Sequence, residues 1–128
     1  MEYSFNKMLD MSFDNAMIKV GDELKKQGFS ILTDIDVQST LKKKLDIDFR
    51  RYKILVACNP QFAYKALKLE SRIGTVLPCN VIVQETEQGK IEVSAIDPIA
   101  SMQAIENPEL RDIITQVGSK LKNVIEGL

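Results

Sequence analysis

The chain has no histidine and no tryptophan, and only two cysteines among its 128 residues. Without histidine, Ser-His-Asp and Cys-His catalysis are excluded, as is any metal site taking a histidine from the same chain. A general base has to be a carboxylate, a lysine or a perturbed thiolate. The aromatics are five phenylalanines and three tyrosines, scattered along the chain, a poor base-stacking platform for nucleic acid. Apolar runs fall far short of the roughly 20 residues that span a bilayer. An excess of one charge is missing too: 17 Lys and Arg meet 18 Asp and Glu, a net charge of -1. No global field favours nucleic acid, an anionic membrane or an acidic substrate. Met1 to Val20 interleaves Glu2, Lys7, Asp10, Asp14 and Lys19 with its apolar residues, unlike the apolar core of a signal peptide. A cytoplasmic location is the expectation.

What is present is the composition of a globular protein, 45% hydrophobic and 27% charged, in the usual range. The length suggests one domain, residues 1–128, able to build a core without disulfide or metal staples. Glu2 to Leu9 reads as a first strand. Ser12 is an N-cap with Asp14 in the first turn, Phe13, Met17, Val20 and Leu24 follow at helical spacing, and Gly28 fits the stop. Phe29 to Ile35 alternates as a strand. Asp36 caps a helix with the stripe Val37, Leu41, Leu45. Tyr52 to Cys58 is a nearly continuous apolar strand, as for a central position. Asn59-Pro60 then starts a helix whose buried face is Phe62, Ala63, Ala66, Leu69 and Ile73, ended by Gly74. Leu77 to Glu85 and Lys90 to Ile96 form a hairpin around Thr86 to Gly89. Pro98 to Ile105 holds a helical turn. Asn107-Pro108 repeats the start signal for an amphipathic helix with Leu110, Ile113, Ile114, Val117, Leu121, Val124, Ile125 and Leu128 on one face. The order β-α-β-α-β-α-β-β-α predicts an α+β fold, one mixed sheet with helices packed mainly on one face. The last helix has a stripe that serves either this core or a partner subunit.

The chemistry concentrates in two short motifs, Cys58-Asn59-Pro60 and Leu77-Pro78-Cys79-Asn80. Cys58 ends a strand one residue before a helix N-cap. The helix amides there bind anions and lower a thiol pKa. Cys79 shares a face with Leu77, Val81 and Val83, and Pro78 marks an edge or a strand entry. Packing as small buried hydrophobes is open to both cysteines. A simple crossover between their strands makes the strands parallel and separates the cysteines by about 15–20 Å, against a disulfide; an antiparallel arrangement, or a return of the chain through Gly74-Thr75-Val76, would bring them closer. Two sulfurs without histidine make a poor zinc site, and neither motif has the Cys-x-x-Cys spacing of a redox pair. The basic cluster Lys42, Lys43, Lys44, Arg50, Arg51 and Lys53 lies among Asp34, Asp36, Asp46 and Asp48. It reads as a solvated face before it reads as a nucleic-acid or phosphate edge. No phosphate-loop, dinucleotide or calcium-loop pattern occurs.

Taken together, Gly28-Phe29, Ile35-Asp36-Val37, Thr40-Leu41-Lys42, Tyr52 to Leu55, Cys58-Asn59-Pro60, Ala63, Ala66-Leu67, Leu77 to Val81 and Asp97-Pro98 resemble the bacterial and archaeal domain-of-unknown-function family 302. The resemblance covers nearly the whole chain, with the cysteine motifs its most specific part. It implies a small α+β domain, often homodimeric, with no established activity. Val56 stands where the family pattern leads one to expect glycine, and a larger residue there is expected to narrow a pocket beside Cys58. The first functional expectation is a binding module for a small ligand, an anion or a soft metal near Cys58, Asn59, Cys79 and Asn80. The second is a thiol-dependent enzyme or redox protein with Cys58 as nucleophile. The third is a structural homo-oligomer built through the last helix. No catalytic residue beyond Cys58 and no cofactor is assigned.

Overall fold

The structure is a computed structural model, and it describes residues 2–128. Five strands and five helices follow in the order β1 (Ser4–Leu9), α1 (Phe13–Lys26), β2 (Ser30–Asp36), α2 (Val37–Leu45), β3 (Tyr52–Cys58), α3 (Pro60–Leu69), β4 (Cys79–Glu85), β5 (Ile91–Ile96), α4 (Pro98–Ser101) and α5 (Leu110–Glu126). A 3-10 turn, Ser71–Thr75, lies between α3 and β4. The strands form one sheet in the order β1-β5-β4-β3-β2. Every neighbouring pair is antiparallel, so the sheet is not mixed as expected. Among the described residues, no helix is long and apolar enough to cross a membrane.

Local signals set most element starts. Ser12 accepts a hydrogen bond from the Asn15 amide at 3.1 Å and caps α1. Asp36 accepts from the Ser39 amide at 2.9 Å and caps α2. Asp97 accepts from the Ile99 amide at 3.0 Å, with Pro98 opening α4. Each side chain satisfies an amide that the first helical turn leaves without a partner. Two asparagines depart from this plan. Asn59 occupies the N-cap position of α3 but makes no capping bond. Its amide donates instead to the Gln27 carbonyl at 3.3 Å. Asn107 accepts from the Glu109 amide and donates to the Leu69 carbonyl at 3.1 Å, and α5 begins only at Leu110.

One face of the sheet is the core face. Leu55 and Ala57 of β3, Val81 and Val83 of β4, and Ile91, Val93 and Ala95 of β5 are buried there. Phe13, Ala16, Val20 and Leu24 of α1 and Val117, Leu121, Val124 and Ile125 of α5 join the same cluster. The stripe of α5 is thus used within the chain, not left for a partner. Lys7 Nζ donates to the carbonyls of Glu126 and Leu128 at 3.2 and 2.7 Å. That charge lies where the negative end of the α5 dipole accumulates. A second cluster, Ala66, Ile73, Met102 and Leu110, packs beside the first. Ile73 belongs to the 3-10 turn, because α3 ends at Leu69.

Two expectations fail at the far edge. The α2 stripe is not buried: no residue of α2 is, and Leu45 is 61% exposed. In β2 the pairing shifts between Ile31 and Thr33. Leu32 is the extra residue of this bulge, so alternation breaks there. Ile31 lies across from Ala57, whereas Ile35 lies across from Ile54 on the opposite face.

Candidate functional site

The two cysteine motifs meet at one end of the sheet. Strand β3 runs towards Cys58, and β4 starts from the same end, with Cys79 across from Ala57 and Asn80 across from Val56. Strand geometry then puts the Cα atoms of Cys58 and Cys79 roughly 6 Å apart. The separation expected from a parallel crossover is overturned. Helix α3 does not carry the chain to the other end of the sheet. It stops at Leu69, the 3-10 turn Ser71–Thr75 reverses the path, and Val76 to Pro78 return to the end that β3 left. The Leu77–Pro78 peptide bond is cis. Both cysteines are free thiols.

Between the sheet end and helices α3 and α5 lies a cavity of about 40 Å³. Cys58, Asn59 and Cys79 border it. Cys79 is buried, and Cys58 is half-buried at the strand end. Asn80, the fourth expected residue, stands outside: it is exposed and does not border the cavity. Val56 does not border it either, because alternation along β3 puts it on the face opposite Leu55 and Ala57. The larger residue at 56 therefore leaves the cavity unnarrowed. Phe62 and Ala66 of α3, Leu110 and Val117 of α5, and Met102 after α4 contribute to the walls. Sequence spacing links neither Met102 nor Leu110 to the cysteines. For Met102 the sequence offered only a helical turn over Pro98 to Ile105.

The electrostatics follow from the apolar walls. No Asp, Glu, Lys or Arg borders the cavity. Burial raises the Cys58 thiol above its ordinary pKa of 9.0, the reverse of the lowering expected from the helix end. Burial, and then the neighbouring Cys58, push Cys79 up to about 11. Both sulfurs are protonated at neutral pH, a poor state for a nucleophile. Among the described residues, no three His, Cys, Asp or Glu side chains group as metal ligands.

The basic cluster is largely occupied elsewhere. Lys42 pairs with Asp46 at 2.9 Å and Asp48 at 3.3 Å. Arg51 pairs with Asp14 at 3.0 Å and stacks 4.1 Å above the Phe13 ring. Lys53 lies 3.8 Å from Asp34.

The family model described as "Domain of unknown function DUF302" matches residues 5–128. The chain belongs to the DUF302 family. The crystal structure of the uncharacterized conserved protein DUF302 from Bacillus stearothermophilus has the same fold, at a TM-score of 0.91 and 23% identity. The match covers 99% of this chain and 98% of that one. No curated protein matches the chain. Family membership and fold agree with the resemblance carried by the cysteine motifs, and within this DUF302 chain those motifs are neighbours in space.

Proposed function

We propose that this DUF302 chain is a binding module whose ligand enters the cavity bordered by Cys58, Asn59 and Cys79. One observation carries the reading: motifs far apart in sequence border a single cavity whose walls are otherwise almost wholly apolar. A well-packed core leaves few voids larger than a water molecule. Here one lies beside both cysteines of the chain. Of the ligand classes open from the sequence, an anion is served worst, because no cationic side chain borders the cavity. A small, soft or uncharged guest suits it. The volume of about 40 Å³ is far below the roughly 300–1,000 Å³ of sites for drug-sized molecules. The guest is therefore an atom, an ion or the tip of a larger molecule.

Xenon is a suitable first probe, since apolar cavities take it up. Amide chemical shifts of labelled protein under xenon pressure are expected to move most at Ala57, Cys79 and Leu110. Shifts spread evenly over the molecule, or none at these positions, would remove the cavity as a binding site.

A further inference from the structure

We infer that a second site, at the other end of the sheet from the cavity, binds a free α-amino acid through its carboxylate and its ammonium group. The cavity lies where β3 ends at Cys58; this site lies where β3 begins at Tyr52. It stands independently of the cavity. Arg50, Gln84, Thr86, Glu87, Gln88 and Glu92 border a surface hollow of about 270 Å³. Strand register brings them together. Val83 and Val93 pair on the core face, so Gln84 and Glu92, paired one residue along, lie on the face away from the core. The ladder continues past β4. The Glu85 amide donates to the Arg51 carbonyl at 2.9 Å, and the Thr86 amide to the Lys90 carbonyl at 2.7 Å.

Arg50 is held in place without being neutralised. Its guanidinium carbon lies 4.4 Å from the centre of the Phe49 ring and 5.7 Å from that of Tyr52. Its Nε donates to Gln84 Oε1 at 3.0 Å. Lys42, Arg51 and Lys53 of the same basic cluster all pair with aspartates. Among the described residues, Arg50 pairs with no carboxylate. A guanidinium carries its N–H donors in a rigid fork that matches a carboxylate. The two Nη groups of Arg50 remain for one.

Gln84 spans the gap to the opposite charge. Its Nε2 donates to Glu92 Oε1 at 3.0 Å. The Arg50 cation and the Glu92 carboxylate are thus one carboxamide and two hydrogen bonds apart. An α-amino acid carries its carboxylate and ammonium on a single carbon. It bridges the same gap alongside the Gln84 side chain, carboxylate on Arg50 and ammonium on Glu92. Glu87 and Glu92 disfavour a plain anion, and Arg50 disfavours a plain cation, whereas a zwitterion satisfies both signs. Thr86 adds a separate observation. Its Oγ1 is covered from solvent and has no hydrogen-bond partner among the described residues. A hydroxyl left so destabilises the fold, and a carboxylate on Arg50 offers it an acceptor once the side chain turns into the hollow. The volume of about 270 Å³ falls just below the roughly 300–1,000 Å³ of drug-sized sites, in keeping with a single amino acid.

The test is an amide-shift titration of the labelled full chain with L-alanine at neutral pH. Acetate and ethylammonium serve as single-charge controls. Saturable shifts are expected at Gln84, Thr86 and Glu92, with none at Ala57 or Cys79. Each control is expected to bind at least about tenfold more weakly, because it loses one charge-assisted contact. Arg50→Gln and Glu92→Gln should each weaken L-alanine by about ten- to a hundredfold, the range for a lost hydrogen bond to a charged group. Arg50→Lys keeps the charge without the fork and should also weaken it. Thr86→Val should weaken it about fivefold while raising the thermal midpoint of the unliganded chain, since the unpartnered hydroxyl is gone. Thermal melts check that each variant folds. No saturable shift at Gln84 and Glu92, acetate binding as tightly as L-alanine, or wild-type affinity in both Arg50→Gln and Glu92→Gln overturns the inference. Wild-type affinity in Thr86→Val overturns the role given to its hydroxyl.

Discussion

At Gly28 the backbone takes φ +83°, and a Cβ added there would lie 3.3 Å from Asn59 Nδ2. The same asparagine holds the Gln27 carbonyl. Gly28 thus ends α1 and lets the start of α3 close over it. Gly28→Ala should cost about 1–2 kcal/mol through the left-handed backbone alone, read as a lower denaturant midpoint. Gly21 gives the contrast, since a Cβ there meets nothing within 4 Å. Gly21→Ala, inside α1, should raise stability by about 0.4–1 kcal/mol. Cys79 makes a second prediction. Its folded pKa is raised from 9.0 to about 11, so the folded state keeps a proton that the unfolded state loses. Its contribution to stability is fully present below pH 9.0 and is lost as the pH rises towards about 11. At about 1.4 kcal/mol per pKa unit, the loss approaches 3 kcal/mol. Alkylation by iodoacetamide should reach Cys58 before Cys79 at every pH below that range. Equal rates at pH 8 would show that Cys79 is not shielded.

Burial sorts the helices more finely than their apolar patterns do. Both α2 and α5 carry stripes at helical spacing, but only that of α5 lies on the core face. Leu121→Ala should therefore cost about 2–5 kcal/mol. Leu45→Ala should stay within about 0.5 kcal/mol. Urea titration of the two variants checks the pair, and similar losses would mean that α2 is buried in solution. The caps at Ser12 and Asp36 were legible because each acts within three residues of itself. Asn59 and Asn107 looked like the same signal but donate across the fold, to Gln27 and Leu69. The direction of β4 was not legible either. It depends on where the chain goes after Leu69, and the apolar spacing of Ala66, Leu69 and Ile73 reads the same whether α3 continues or reverses. The bulge at Leu32 hid a further turn of the pattern, because one extra residue exchanges the two faces of a strand. Both cysteines were found from sequence. Their proximity, and the cavity that they border together with Met102, required the strand direction that the sequence did not reveal.

For the molecule as a whole, burial is graded across the sheet. Strands β4 and β5 lie inside it and bury Val81, Val83, Ile91, Val93 and Ala95. The β2–α2 unit lies at an edge and contributes no buried side chain. Opening free energies follow such contrasts in apolar contact. Native-state hydrogen exchange should show Ser30 to Leu45 opening well before β4 and β5. Uniform protection across all five strands would contradict this. The cavity lies on the more stable side of that gradient, against α3, α5 and the sheet end. Occupancy should therefore slow exchange at Cys79 and Val81 while leaving the β2–α2 unit unchanged.

The bulge at Leu32 bears on a hazard of another kind. Strand β2 is a free edge with Ile31, Leu32 and Ile35 exposed at 41%, 60% and 43%. A flat apolar edge is a template on which further chains can add strands. The extra residue interrupts that template, and Asp34 beside it carries charge towards Lys53. Deleting Leu32 would straighten the edge and should lower the concentration at which the protein begins to aggregate, measured by light scattering at constant ionic strength. The irregularity that made β2 hard to read is also what makes this edge a poor template for strand addition.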